Sequence, residues 1–113
     1  NAVSGYVLTV KGDTLSAGTP TITALGSNTA SSPGTEQFGL RATATSGSGT
    51  VTAPYAASGF AYTGTSSSAA QVASSSSSSQ TTTYSVRYLA NIAGDTEAGS
   101  YSTTLTYTTT ATF

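Results

Sequence analysis

The sequence predicts an all-β fold, an antiparallel β-sandwich of about seven to nine strands with no significant helix. Three observations lead to this prediction. Apolar and polar residues alternate with a period of two over several stretches, which is typical of strands with one buried face. Apolar residues do not recur at the 3.6-residue spacing of an amphipathic helix. The chain contains 24 threonines, and this β-branched residue favours strands over helix interiors.

The chain before residue 74 contains three predicted strands and some shorter candidates. The strands cover residues 6–10, 21–25 and 37–45, and the shorter candidates are residues 50–52, 59–63 and 70–73. The alternation is clearest in the third strand. Its inward side is expected to carry Phe38, Leu40, Ala42 and Ala44.

The second half of the chain ends in two long predicted strands joined by a turn at residues 93–99. Residues 84–91 alternate, and residues 101–113 alternate over their whole length, with a hydroxyl at every even position. The aromatic residues of these strands share the parity of the apolar ones, which predicts that they lie in the core. The expected core members are Tyr84, Val86, Tyr88, Tyr101, Leu105 and Tyr107, together with Phe38 and Leu40.

Residues 1–113 are expected to form a single domain, because their number is close to the usual domain size and the composition does not shift along the chain. The six consecutive serines from Ser74 to Ser79 are predicted to form a flexible loop. The chain begins with Asn1 rather than Met, which leaves open a segment upstream.

The composition argues against catalysis. The chain has no His, Cys, Met or Trp, and only three basic and four acidic residues. An imidazole base, a thiolate, a Cys/His metal site and a basic surface for nucleic acid are therefore excluded. We expect no enzyme, no cofactor, no metal and no nucleic-acid partner. No run of 18 apolar residues occurs, so no membrane span is predicted.

Two weaker constellations use the few charged residues. Asp13, Asp95 and Glu97 would be the candidates for a Ca²⁺ site or for a hydrolase if they converged. Lys11 and Asn91 are the candidates for an intramolecular isopeptide bond, with Glu36 or Asp95 as the neighbouring carboxylate. Neither spacing matches a specific motif.

A family resemblance rests on residues 82–92 and 98–107 and on the end of the chain, Thr-Ala-Thr-Phe. These segments resemble the secreted, Ser/Thr-rich β-sandwich surface proteins of small-genome, uncultivated bacteria. They are more remotely similar to the spore-coat-U-like fimbrial subunits, whose last strand also follows an Ala-Gly-x-Tyr turn. The resemblance implies an exported protein, extracellular or at the cell surface, with an immunoglobulin-like or pilin-like sandwich. The fimbrial analogy implies a subunit that accepts or donates a strand.

The predicted function is that of a non-catalytic structural subunit of an extracellular filament, pilus or surface layer. Leu, Ile, Val and Phe together number 17, so the core is thin, and contacts between strand edges of several copies would stabilise the fold. The partner is thus a further copy of the chain. The residues predicted near these contacts are Tyr6, Leu8, Val10, Tyr101, Leu105, Tyr107 and Phe113.

The alternative function is a cell-surface adhesin or a carbohydrate-binding module that recognises surface glycans. Such a module needs exposed aromatic rings, which stack on sugars. The candidates are Tyr55, Phe60 and Tyr62, because they lie in the least regular part of the sequence and are expected to be exposed in loops.

Overall fold

The computed structural model describes residues 4–78 and 80–113. These residues form an all-β structure without helix, as predicted. The fold is elongated, with principal extents of 50 × 26 × 18 Å. Its six strands are β1 (Tyr6–Lys11), β2 (Gln37–Thr45), β3 (Thr50–Val51), β4 (Ala70–Ser75), β5 (Thr83–Asn91) and β6 (Thr106–Ala111).

The strands form two antiparallel sheets. One sheet has the order β3-β4-β1-β6 and the other consists of β2 and β5. The count of six is below the predicted seven to nine, because residues 21–25 and 59–63 are not strands. They contribute isolated bridges to β2, where Ala24 pairs with Phe38 and Ala61 pairs with Leu40. These segments run beside β2 but do not form a continuous ladder of hydrogen bonds with it.

The two sheets share one buried core. Phe38 and Leu40 of β2 are 3% and 0% exposed, which confirms the prediction for these residues. Val10 of β1 and Val72 of β4 belong to the same cluster. The alternation of β2 explains the arrangement, because every second side chain of a strand points to the same face. Val86 and Leu105 pack against this cluster and are partly buried.

The last strand is shorter than predicted. The sequence predicts one strand over residues 101–113, whereas β6 covers Thr106–Ala111. Its partner β1 ends at Lys11, which pairs with Thr106, and Gly12 then turns away with a φ of +146°. A Cβ at Gly12 would collide with the carbonyl oxygen of Thr104, so only glycine allows this close approach.

The serine run also differs from the prediction, because β4 includes its first two residues, Ser74 and Ser75. Ser75 is buried and donates a hydrogen bond of 2.9 Å to the carbonyl oxygen of Ser77. The strand β4 therefore continues past its apolar residues into the serine run, where the buried Ser75 hydroxyl has a hydrogen-bond acceptor nearby in the chain. Ser79, the last residue of the predicted loop, lies outside the described residues.

In the described part of the chain, no helix has the length and apolar character needed to cross a membrane.

Candidate functional site

The end strands β5 and β6 each have one edge without a strand partner among residues 4–78 and 80–113. β5 pairs with β2 alone, and β6 pairs with β1 alone. The outer edge of β2, by contrast, is covered by the bridges to Ala24 and Ala61. Backbone N–H and C=O groups on an unpaired edge are available to pair with another strand.

The inward side chains become more exposed from β2 to β5. Phe38 and Leu40 are almost fully buried, but their cross-strand partners on β5, Ala90 and Tyr88, are exposed. Tyr88 is 51% exposed, so its predicted place in the core is wrong. The same gradient occurs from β1 to β6, where the inward-facing Thr109 is exposed. The two sheets therefore cover each other near β2 and separate between β5 and β6.

We call this opening the β5–β6 cleft. It is bordered by Tyr84, Tyr88 and Ala90 on one side and by Leu105, Tyr107 and Thr109 on the other.

Two tyrosine pairs cross the cleft from sheet to sheet. The hydroxyl oxygens of Tyr6 on β1 and Tyr84 on β5 are 2.6 Å apart, with ring centroids at 6.5 Å and an interplanar angle of 80°. The hydroxyls of Tyr88 on β5 and Tyr107 on β6 also form a hydrogen bond. Tyr84 and Tyr88 are four residues apart on one strand, so both point to the same face. The phenols thus bridge a gap that the short apolar side chains leave open.

The environment of these phenols disfavours their ionisation. Burial raises the pKa of Tyr107 well above its ordinary value, and the hydrogen bond with Tyr88 adds to the shift. Burial likewise raises the pKa of Tyr84, with a further contribution from its hydrogen bond with Tyr6. Tyr84 and Tyr107 therefore keep their phenolic protons at physiological pH, and in each pair one hydroxyl donates a hydrogen bond to the other.

Two pockets lie along the cleft. The pocket at the Tyr6–Tyr84 pair has a volume of about 370 Å³ and is lined by Tyr6, Leu8, Gln80, Thr81, Thr82, Tyr84 and Thr109. The pocket at the opposite end has a volume of about 460 Å³. It is lined by Leu15, Phe38, Tyr88, Leu89, Ala90, Thr103 and Leu105, most of which are apolar. A segment that entered the cleft at this end would meet mainly apolar side chains.

Most of the residues predicted to lie near subunit contacts are placed at or beside the cleft. Tyr6, Leu8 and Leu105 line its pockets, and Tyr107 bridges it. Val10 is instead fully buried in the core, so a direct contact of its side chain with a second copy is excluded in this fold. The remaining two lie farther along the chain. Tyr101 is half-buried and donates to the carbonyl oxygen of Glu97 at 2.7 Å, and Phe113 is 87% exposed.

The residues of the alternative glycan site are not free aromatic rings. Tyr55 and Tyr62 are 1% and 2% exposed, so the expectation that they are exposed in loops is wrong. The Tyr62 ring packs edge to face on Phe38 with centroids 5.3 Å apart. Phe60 is half-buried, and the Arg41 guanidinium lies 4.8 Å above its ring. Residues 52–64 fold back on β2, a long-range packing that the local sequence does not reveal.

The carboxylates do not converge. Among the described residues, no group of three or more Asp, Glu, His or Cys could hold a metal ion. Asp13 accepts a hydrogen bond of 2.7 Å from the N–H of Ser66, which lowers the pKa of that carboxyl group. Asp13, Asp95 and Glu97 thus do not form a Ca²⁺ site in the described part of the chain.

The proposed isopeptide partners also lie in other contacts. The side-chain amide of Asn91 donates to Ser31 and to Gln37, at 3.1 Å and 2.8 Å. Lys11 is exposed at the end of β1. Glu36 accepts hydrogen bonds from Thr23 and Thr96. The hydrogen bonds of the Asn91 side-chain amide thus go to Ser31 and Gln37 rather than to a carboxylate.

No protein-family model, curated protein or solved structure matches this chain at a significant level. The interpretation of the cleft therefore depends on its own geometry.

Proposed function

We propose that the chain is a structural subunit without catalytic activity, with an immunoglobulin-like or pilin-like β-sandwich fold, in an extracellular filament, pilus or cell-surface layer. The observation that carries the proposal is the β5–β6 cleft, where two unpaired strand edges border one opening. A strand entering the cleft would add to an existing ladder and cover the inward residues of both sheets.

The occupant that we propose is a second copy of the chain. The strand β6 has the sequence Thr-Tyr-Thr-Thr-Thr-Ala and carries no charge. Natural proteins usually protect edge strands with Lys, Pro or inward-pointing charges, and none of these occurs on β6. On β5 the single charge is Arg87, which has the opposite parity to the cleft residues Tyr84 and Tyr88. A second copy would therefore enter this opening without charge repulsion from either strand.

Exposed apolar side chains outside the cleft support the same proposal. Ile92 follows β5 directly and is 64% exposed, and Phe113 lies two residues after β6. A thin core leaves the isolated fold with little apolar burial, so contacts with further copies would contribute stabilisation. Because the chain has no cysteine, disulfides cannot stabilise the fold. Contacts between copies are then a remaining source of stability.

The test introduces an inward-pointing charge on the free edge. Thr109→Lys places an ammonium group in the cleft, whereas Thr108→Lys places the same group on the outer face of the same strand. We expect the wild-type protein and Thr108→Lys to form species larger than a dimer that grow with concentration, and Thr109→Lys to stay monomeric. Sedimentation velocity and electron microscopy would measure this.

Two results would overturn the proposal. One is a wild-type protein that stays monomeric at high concentration, and the other is a Thr109→Lys variant that assembles as the wild type does. Circular dichroism of both variants establishes that they retain the β-rich fold, so that a loss of assembly is not confused with unfolding.

A further inference from the structure

From the contact between Tyr6 and Tyr84 we infer an oxidative crosslinking site, at which one-electron oxidation joins the two rings covalently and locks the two sheets together. This modification is independent of the proposed assembly. It requires that the two phenols meet, that an oxidant reaches them and that no other side chain reacts first.

The geometry meets the first requirement. The two hydroxyl oxygens are in hydrogen-bond contact at 2.6 Å and the ring centroids are 6.5 Å apart. The reactive ring carbons of a tyrosyl radical are those next to the carbon that bears the oxygen, so the contact of the hydroxyls brings reactive carbons of both rings close together. Neighbouring backbone holds the pair in place, because Gly49 packs directly against both hydroxyls, and a Cβ there would overlap them.

Access and composition meet the other two requirements. Tyr6 and Tyr84 line the 370 Å³ pocket, which opens to solvent, and both are partly exposed. The chain has no Cys, Met, Trp or His, the side chains that ordinarily intercept oxidants. Tyrosine is therefore the most easily oxidised side chain in the sequence. Five of the seven tyrosines lie elsewhere, and this pair is the one whose rings are in edge-to-face contact with each other.

The reaction balances with hydrogen peroxide as the oxidant and a haem peroxidase as the catalyst. Each phenol loses one electron and the proton of its O–H group, which gives two tyrosyl radicals. The radicals combine to form one carbon–carbon bond between ring carbons, and the hydrogens on these carbons then move to the oxygens, which restores both phenols. The two electrons and two protons reduce one peroxide molecule to two water molecules.

The crosslink would stabilise the fold in the way that a disulfide does, in a chain that has no cysteine. It closes a loop from residue 6 to residue 84, and a covalent link across a long loop lowers the conformational entropy of the unfolded chain. It would also fix the width of the β5–β6 cleft at one end. We expect the oxidised protein to unfold at a higher temperature than the untreated protein.

The experiment treats the purified protein with peroxidase and hydrogen peroxide at a concentration where it is monomeric. The expected result is a monomer with dityrosine fluorescence, a mass lower by two hydrogen atoms, and one crosslinked peptide that contains Tyr6 and Tyr84. Tyr84→Phe should abolish this product. Tyr88→Phe, which removes a phenol from the other pair, should retain it.

A further variant tests the geometry rather than the presence of the phenol. Gly49→Ala keeps both tyrosines but adds a Cβ that would overlap both hydroxyls and displace them, so it should reduce the yield of the intramolecular product. The inference is overturned if Tyr84→Phe crosslinks as the wild type does, or if the product consists only of links between molecules. It is also overturned if Tyr88→Phe, rather than Tyr84→Phe, abolishes the link.

Discussion

The hydroxyl of Tyr62 donates a hydrogen bond of 2.5 Å to the backbone carbonyl oxygen of Gly12, fifty residues away along the chain. This bond joins the segment after β3 to the end of β1. The Tyr62 side chain is almost fully buried, so water cannot replace the donor if the hydroxyl is removed.

Tyr62→Phe is therefore expected to lower the free energy of unfolding by about 1–3 kcal/mol, because it leaves the Gly12 carbonyl unsatisfied. Urea denaturation measures this change. Tyr101→Phe is the matched control, since Tyr101 also donates to a backbone carbonyl, that of Glu97, but in an exposed bond. Its effect should stay within about 0.5 kcal/mol. Equal losses in both variants would contradict the role assigned to the buried bond.

A second prediction concerns alkaline pH. Burial raises the pKa of Tyr62 to about 12, with smaller contributions from the nearby Tyr55 and Asp13, whereas an unfolded tyrosine ionises near 10. Because the folded-state pKa is the higher one, this group contributes stability that is fully present below about pH 10 and is lost as the pH rises towards about 12. The free energy of unfolding of the wild type should fall more steeply over this range than that of Tyr62→Phe. Parallel curves would contradict the prediction.

A third prediction concerns acid pH. Glu36 accepts hydrogen bonds of 2.8 Å from both the side-chain hydroxyl and the N–H of Thr23, and one of 3.1 Å from Thr96. The Thr23 hydroxyl contributes most to lowering the pKa of this carboxyl group below its usual 4.5. A depressed folded-state pKa contributes stability above the unfolded value, and this contribution is lost as the pH falls through the folded value.

The variant Glu36→Gln should therefore lose less stability than the wild type when the pH is lowered below the ordinary range of a glutamate. Glu97→Gln is the control, because the hydrogen bond of Glu97 with Tyr101 uses the backbone carbonyl. Chemical denaturation at a series of acidic pH values gives the comparison. The interpretation fails if both variants follow the same pH dependence.

A fourth prediction tests the core. Leu40 is fully buried at the centre of β2, so Leu40→Ala should destabilise the fold by about 2–5 kcal/mol through lost burial and a cavity. Ile92→Ala removes a large apolar side chain that is mostly exposed, and its effect on the monomer should stay within about 0.5 kcal/mol. Thermal and urea unfolding would show the difference. A large effect of Ile92→Ala under conditions without association would mean that this side chain is covered.

The face that each residue occupies could be predicted from the sequence better than its degree of burial. The alternation over residues 37–45 correctly placed Phe38 and Leu40 inward. The alternation over residues 84–91 put Tyr84 and Tyr88 on one face of β5, and the structure pairs Tyr88 with Leu40. Parity does not reveal strand order, however. Tyr88 is exposed because β5 is the end strand of its sheet, and that position depends on pairings between distant segments.

Local sequence patterns also could not predict the lengths of the strands or the burial of the aromatic residues in loops, because both depend on contacts between distant segments. The pattern of residues 101–113 continues without interruption, but β6 begins only at Thr106 because its partner β1 ends before Gly12. Tyr55 and Tyr62 are buried because residues 52–64 pack on β2. The sequence contains one signal for the tyrosine pairs, because the spacing of Tyr84 and Tyr88 puts both on one face of their strand. Their partners, Tyr6 and Tyr107, depend on how the two sheets pack.

The one-sided cleft constrains the symmetry of any polymer. Two copies that joined through the same opening would be related by a twofold axis and would seal each other, which ends growth at a pair. A continuous fibre built by one repeated contact therefore requires a head-to-tail contact between different surfaces. The exposed Phe113 lies beyond the end of β6 that pairs with Tyr6, whereas the apolar pocket at Leu105 lies beyond the other end of that strand. A fibre built from this chain would thus have a direction, with two unlike tips.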